Sequence, residues 1–325
     1  MPKTLPLTRA FAFAAKAQAA RGVDAAPTMA ANAIRLASSF DVRESWLSDN
    51  LADGEQTGGK GTYPPGEKAG RVYTFPIRRR MRGPGVAYSA AALPAEDALL
   101  MALLGVRTDD FTIGTESVEY SGTDGAEALL SVLAQDMGQQ FKATDCVPVS
   151  ASIQWEAGKF LDLIVELEGV GSAPTQQALE AATLDTIKPP IFRGGVFSLG
   201  GVALAPIKGT LDFGIEKSDP TLDGTAGDAW EGYRITDRTP KGTMEVQVVD
   251  LATFDPYALA AAGTTMPWIY DLGDEQYRNV RIEADRLSIM KVTPVNRGGV
   301  KAWSFEYMIH RAIAPSTKDP VIKYN

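Results

Sequence analysis

The stretch "DLGDEQYRNVRIEADRLSIMKV", Asp271 to Val292, decides how this chain is read. Asp-x-Gly supplies a turn, and the residues after it alternate into a strand. A shorter echo, "DMGQQFKATDCVPVSASIQW", begins at Asp136. Neither phrase carries a recognisable catalytic group. A phrase of structural grammar that occurs twice points to a structural unit that occurs twice.

Outward from the two phrases the order of elements is the same. Each half has an alternating strand, Arg71 to Ile77 and Thr210 to Glu216. Each then has a short helix opened by proline and closed by glycine, Pro94 to Gly105 and Pro256 to Gly263, with Asp255 a good N-cap for the second. Leu99, Leu100, Leu103 and Leu104 give the first helix one apolar face. The D-x-G turns follow, and each half ends on a strand, "EAGKFLDLIVELEG" and "RGGVKAWSFEYMIH". The expected fold is therefore mainly β, a β-sandwich unit with a flanking short helix, duplicated in tandem. A coincidence of common hairpin grammar stands as the alternative, because identity between the halves is low. The boundaries are 1–172 for the first unit, 173–190 for a polar linker and 191–325 for the second unit.

The totals agree with a globular β-rich chain. It has 325 residues, 45% of them hydrophobic, with 31 Gly and 20 Pro dispersed as punctuation between short elements. A net charge of −8 repels phosphate, which argues against binding nucleic acid through a basic groove. Cys146 is the single cysteine, so no internal disulfide forms. No apolar run reaches the ~18 residues of a membrane span. The opening "MPKTLPLTRAFAFAAKAQAARG" has too short an apolar core for a signal peptide and reads as an arm. Ser48 to Gly70 reads as a long polar loop, either a mobile surface loop or an arm that orders against a neighbouring subunit.

Chemistry is sparse. No phosphate-binding glycine loop or G-x-S-x-G elbow is present. A lone histidine, His310, excludes HExxH-type zinc sites and makes any Ser-His-Asp triad depend on that residue. The carboxylate pairs Glu96/Asp97, Asp109/Asp110 and Asp274/Glu275 are expected by chance among 40 acidic residues. Asp271, Asp274 and Glu275 resemble a calcium loop only faintly, without EF-hand spacing. The reading is therefore no enzyme, no metal and no cofactor. Candidate inter-subunit contacts are Asp53, Glu55 and Lys60 in the polar loop, the basic strand end Arg78, Arg79 and Arg80, and the turn pair Asp237 and Arg238. Asp162, Glu166 and Glu168 lie on the wet side of one alternating strand, facing either a lumen or the outside.

Several phrases resemble one family. "AKAQAARGVDAAPTMAANAIRL", "PAEDALLMALLG", "GYRITDRTPKGTMEVQV", "FDPYALAAAG" and "EADRLSIMKVTPVNRGGVKAWSFEYM" are similar, in order and character, to tail tube (major tail) proteins of long-tailed bacteriophages. The likeness runs from about Ala14 to Arg311 and lapses over Val106 to Leu133 and in the linker. It implies a structural virion protein, assembled in host cytoplasm, whose rings stack into a hollow tube. Another ring-forming tail component, a terminator or baseplate hub, is the near alternative; a carbohydrate-active β-sandwich enzyme or a binding module is the distant one. The implied partners are further copies of the chain, three per pseudo-sixfold ring if the duplication holds and six if not. The tail terminator and the tail tip or baseplate proteins would cap the tube. The tape measure protein and DNA would pass through the lumen without specific binding, and no membrane is involved. Acidic side chains would let DNA slide without adhering.

Overall fold

Each D-x-G phrase sits at the entrance to an 18-residue strand, Gln139–Glu156 and Val280–Arg297, and the fold is organised around these two. The computed structural model of the chain describes residues 11–51, 67–122, 125–136, 138–191, 195–218, 221–222, 230–231, 233–273, 275–311 and 320–325. The first half runs β1 (Phe11–Ala17), β2 (Arg43–Leu51), β3 (Glu67–Arg80), α1 (Asp97–Leu104), β4 (Gly105–Asp110), β5 (Ser117–Gly122), β6 (Leu130–Asp136), β7 (Gln139–Glu156), β8 (Asp162–Gly171) and β9 (Thr175–Gln176). The second runs β10 (Val196–Leu199), β11 (Val202–Ala203), β12 (Pro206–Asp212), β13 (Ile215–Lys217), β14 (Thr221–Leu222), β15 (Trp230–Glu231), β16 (Ile235–Arg238), β17 (Lys241–Gln247), α2 (Pro256–Ala262), β18 (Thr265–Leu272), β19 (Val280–Arg297), β20 (Val300–Ile309) and β21 (Val321–Tyr324). The chain is mainly β, as the sequence predicts. No helix among the described residues is long and apolar enough to cross a membrane.

One pairing order occurs twice. In the first half it is β1–β6–β7–β8–β3–β2, all antiparallel. In the second it is β10–β18–β19–β20–β17–β12, also all antiparallel. A helix lies between the corresponding strands in both. Two of the irregularities recur as well. The ladder of β7 shifts register between Ala143 and Cys146 against β6, and between Pro148 and Ser150 against β8. The ladder of β19 shifts between Ala284 and Leu287 against β18, and between Ile289 and Lys291 against β20. The separation is 141 residues at every one of these places (284 less 143, 289 less 148). A bulge bends and twists a strand, so matched bulges bend two long strands alike.

The bends fold the sheet back over itself. β1 and β3 are four strands apart in the ladder, yet the rings of Phe13 and Phe75 lie 6.2 Å apart. Trp155 of β7 meets Tyr270 of β18, ring to ring at 5.3 Å, although these strands do not pair. The result is two layers made from one continuous 17-stranded sheet, around an apolar cluster that spans both halves.

Each half also extends a two-stranded arm. β2 and β3 pair beyond the body of the sheet, from Arg43↔Thr74 to Leu51↔Glu67. The ladder Asp212↔Lys241 continues in the same register as Ile215↔Arg238, and then as β14 with β15. The expected loop from Ser48 to Gly70 is thus shorter, because its ends belong to β2 and β3. Few apolar residues mark those ends, since a two-stranded arm has little buried face. The segment 52–66 lies outside the described residues.

The expected helices are present, α1 starting at Asp97 and α2 capped by Asp255, whose side chain accepts from the Tyr257 and Ala258 amides. One sequence equivalence is corrected. The counterpart of the Arg71–Ile77 strand is not Thr210–Glu216 but the run 238–244, because β3 and β17 are the strands that pair with β8 and β20. The segment Val106 to Leu133, unmatched in sequence, forms the β4–β5 hairpin and the start of β6. β21 joins that hairpin to the second half, pairing with β5 on one side and β19 on the other. The linker has little regular structure past β9, yet it packs on the first half through Thr183 N–H to Met29 C=O at 3.0 Å and through Asp185.

Candidate assembly interface

The two halves meet where β12 pairs with the C-terminal end of β7, from Lys208↔Glu156 to Asp212↔Ser152. Gly209 lets β12 approach β7, and Gly242 lets β17 pack on the other side of β12. A Cβ on Gly209 would stand 2.4 Å from the Trp155 ring, and one on Gly242 would stand 1.9 Å from the Thr210 carbonyl. Tyr307 uses the space beside Gly242 to donate to that carbonyl at 2.9 Å. On the wet face Glu245 receives Lys208 at 3.2 Å and Arg297 at 2.6 Å. The Arg297 hydrogen bond, against some loss of hydration and helped by Lys208, holds the Glu245 carboxyl below the ordinary glutamate value.

The arm of the second half lies across the first. Tyr233 is buried against Val72 and Val147. Lys217 sits 4.1 Å over the Tyr233 ring and pairs with Glu168. Arg238 donates to the Leu103 carbonyl at the C-terminal end of α1 and pairs with Glu127 at 2.9 Å. A cation at that end also suits the helix dipole.

The sequence candidates fall into three groups. Asp53, Glu55 and Lys60 lie outside the described residues. Asp162, Glu166 and Glu168 share β8, but each is paired inside the chain, Asp162 with Arg78 at 2.5 Å, Glu166 with Arg43 and Glu168 with Lys217, and Glu168 is not on the wet side as expected but buried beneath the arm of the second half. Arg80 lies 4.3 Å over Phe160, Asp237 accepts from the Arg238 amide at 2.7 Å, and Arg238 bridges the two halves of one chain. Arg79 leaves the set of inter-subunit candidates, since it is fully buried. It holds Glu96 at 2.6 Å and Asp185 at 3.2 Å, and Glu96 also accepts from Tyr324 at 2.7 Å. Burial opposes the Arg79 charge, but Glu96 and Asp185 outweigh it and raise its pKa above the ordinary arginine value. The signal was in the alternation: Tyr73, Phe75 and Ile77 face the core, and the next residue in step is Arg79. Gly209, Trp155 and Tyr233 carry the junction, and nothing in their local sequence separates them from ordinary strand residues.

The remaining chemical candidates have structural surroundings. Ser288 Oγ lies 2.6 Å from His310 Nε2, and Ser288 is 3% exposed. Asp97 and Asp109 both hold Arg107 at 2.9 Å. Burial pushes the Cys146 thiol well up, away from a nucleophile's range. Among the described residues no group of three or more His, Cys, Asp or Glu is placed to hold a metal ion. A scan against protein-family models finds no match for this chain, and a search of curated proteins finds none.

The second half presents its matching surface to solvent. α1 buries Leu99, Leu100, Ala102, Leu103 and Leu104, whereas α2 buries Pro256 alone. Val149 packs under the arm of the second half beside Tyr233, and its counterpart Met290 is 58% exposed.

Proposed function

We propose that this chain is a structural virion protein of the tail tube type, which polymerises as stacked rings into a hollow tube that conducts a phage genome. The observation that carries this reading is the recurrence of one six-strand pairing order, joined strand to strand within a single chain. Two tandem copies of a two-layer unit, already joined edge to edge, make one segment of a ring. Three chains then supply six units. The uncovered Met290 supports the reading, because its counterpart Val149 lies under the arm of the second half. The net charge of −8 suits a wall along which DNA slides. Asp162, Glu166 and Glu168 contribute little to it individually, since each is matched by a cation.

Negative-stain electron microscopy with light scattering over a concentration series tests the reading. Rings or hollow tubes are expected, with a lumen that admits a DNA duplex. A particle that stays monomeric at every concentration and gives no ring refutes it.

A further inference from the structure

The filled junction has an unfilled counterpart. The 141-residue separation carries β7 residues 152–156 onto β19 residues 293–297. On the other partner, Thr74 lies opposite Arg43 and Glu168, while Lys241 lies opposite Asp212 and Met308. Glu168 and Met308 face Val147 and Ser288, which are themselves matched. Arg43 therefore takes the place of Asp212, and residues 39–43 take the place of 208–212. Among the described residues, the pairing of β18 ends at Ser288 of β19, and no strand pairs with that side of β19 beyond it. Likewise no strand pairs with the outer side of β2, and 39–42 belong to no ladder.

We propose that a second copy of this chain fills the open edge, its residues 39–43 running antiparallel to 293–297 in the register of the internal junction. Ser39 then stands opposite Arg297, Asp41 opposite Val295 and Arg43 opposite Thr293. The inference rests on the ring reading above and adds to it which edges meet and in what register.

Four observations favour a second copy. The size pattern is complementary: the internal junction sets Gly209 against Trp155, and the open one sets Phe40 against the small Asn296, with Phe40 already buried beside Phe13 at 5.7 Å. The charges agree, since Asp41 stands diagonal to Arg297. The arm agrees too. Arg71, opposite Trp46, occupies the place of Arg238, opposite Ile215. Met290 is exposed where the incoming arm would lie. Finally, the edge and its complement are different surfaces of one chain, so copies join head to tail, which closes a ring or extends a filament.

Pro294 tunes the contact. In the filled junction Ala151 and Ala157 turn their backbone toward the second half, as Ala151 C=O to Phe213 N–H at 3.0 Å and Ala157 N–H to Ile207 C=O at 2.8 Å demonstrate. By alternation Ile153 and Trp155 do the same, and so do their counterparts Pro294 and Asn296. Proline offers no N–H there, so the inter-chain ladder has one bond fewer than the internal one.

Paired cysteines test the register in the full chain. Asp41→Cys with Val295→Cys is a non-hydrogen-bonded pair, whose Cα atoms lie about 4.5 Å apart, within disulfide range. Gln154→Cys with Thr210→Cys is its internal twin and the positive control. Arg43→Cys with Val295→Cys, two residues out of register, is the negative control. Cys146 is fully buried and stays unreactive. Mild oxidation should link the first pair between chains into multiples of 34.7 kDa, about tenfold more than the offset pair. Asn296→Pro removes a second outward N–H without touching an internal ladder bond, but also loses the side chain that accepts from the Gly299 amide at 3.0 Å; it should abolish association, while Asn296→Ala, which loses only that side-chain bond, should melt alike and still associate. Rings that form while the matched pair keeps free thiols overturn the register and leave the tube reading standing. A monomer with no association and no crosslink overturns both.

Discussion

The two halves share a pairing order but differ in what they are asked to hold. The first half is covered: β12 on its β7 edge, an arm across its face, β21 on its hairpin and the linker in its charged cluster. The second half has the matching β19 edge and the matching face at Met290, and leaves both open. Arg79 in the first half occupies the place of Val246 in the second, so a buried ion cluster stands where its counterpart is a plain apolar contact. Matched backbones thus tolerate very different interiors. What distinguishes the halves is the supply of neighbours within the chain.

Breaking the covered half should have the largest effect. Glu96→Ala leaves Arg79 short of its closest partner in a dry site, and removing one partner of a buried ion pair costs about 3–5 kcal/mol. Val246→Ala, at the matching place, should cost less, and urea unfolding of the two variants measures the difference. Gly209→Val drives a side chain into Trp155 and should cost about 1–3 kcal/mol by overpacking. Limited proteolysis should then cut the chain near 213–214 faster than in the parent.

A third pair sharpens the contrast. Met290→Glu should change monomer stability by less than about 0.5 kcal/mol, as an exposed substitution does, yet lower association. Val149→Glu, at the covered counterpart, should destabilise the monomer itself, and thermal melts with light scattering separate the two. Pro294→Val restores an outward N–H and should raise association several-fold, by about the net value of one hydrogen bond.

The smallest effects are in the titrations, and they have opposite signs. Glu245 has a folded value below its unfolded 4.5, so its contribution is present above pH 4.5 and is lost as pH falls through the folded value. Asp271 has a folded value above its unfolded 3.8, chiefly through burial, only partly relieved by Arg281. Its contribution is full below pH 3.8 and is lost as pH rises through the folded value. Asp271→Asn should therefore stabilise the chain at pH 7 and lose that advantage in acid, while Glu245→Gln should do the reverse. Denaturation at stepped pH values checks both signs.

Much of the frame was legible in the residues. The two D-x-G turns, both helices and the alternating strand "FLDLIVELEG" follow from turn chemistry and periodicity. The bulges were not legible, because Asp145, at a φ of 52°, sits where no glycine flags it. The arms were obscured by their polarity, and the junction by its reliance on Gly209, whose role depends on a ring 54 residues away in sequence (209 less 155). Long-range pairing leaves little trace in local composition.

The strand at Val321–Tyr324 has a consequence for the timing of folding. It pairs with β5 and β19, and its Tyr324 completes the hydrogen bonds on Glu96, a residue made long before it. A nascent chain that has emerged only to residue 320 holds the β4–β5 hairpin with a bare edge and the Glu96 carboxylate without its tyrosine. The first half, though synthesised first, must therefore wait for residue 324 to leave the ribosomal tunnel. Its last contacts form only after the strands of the second half have been made.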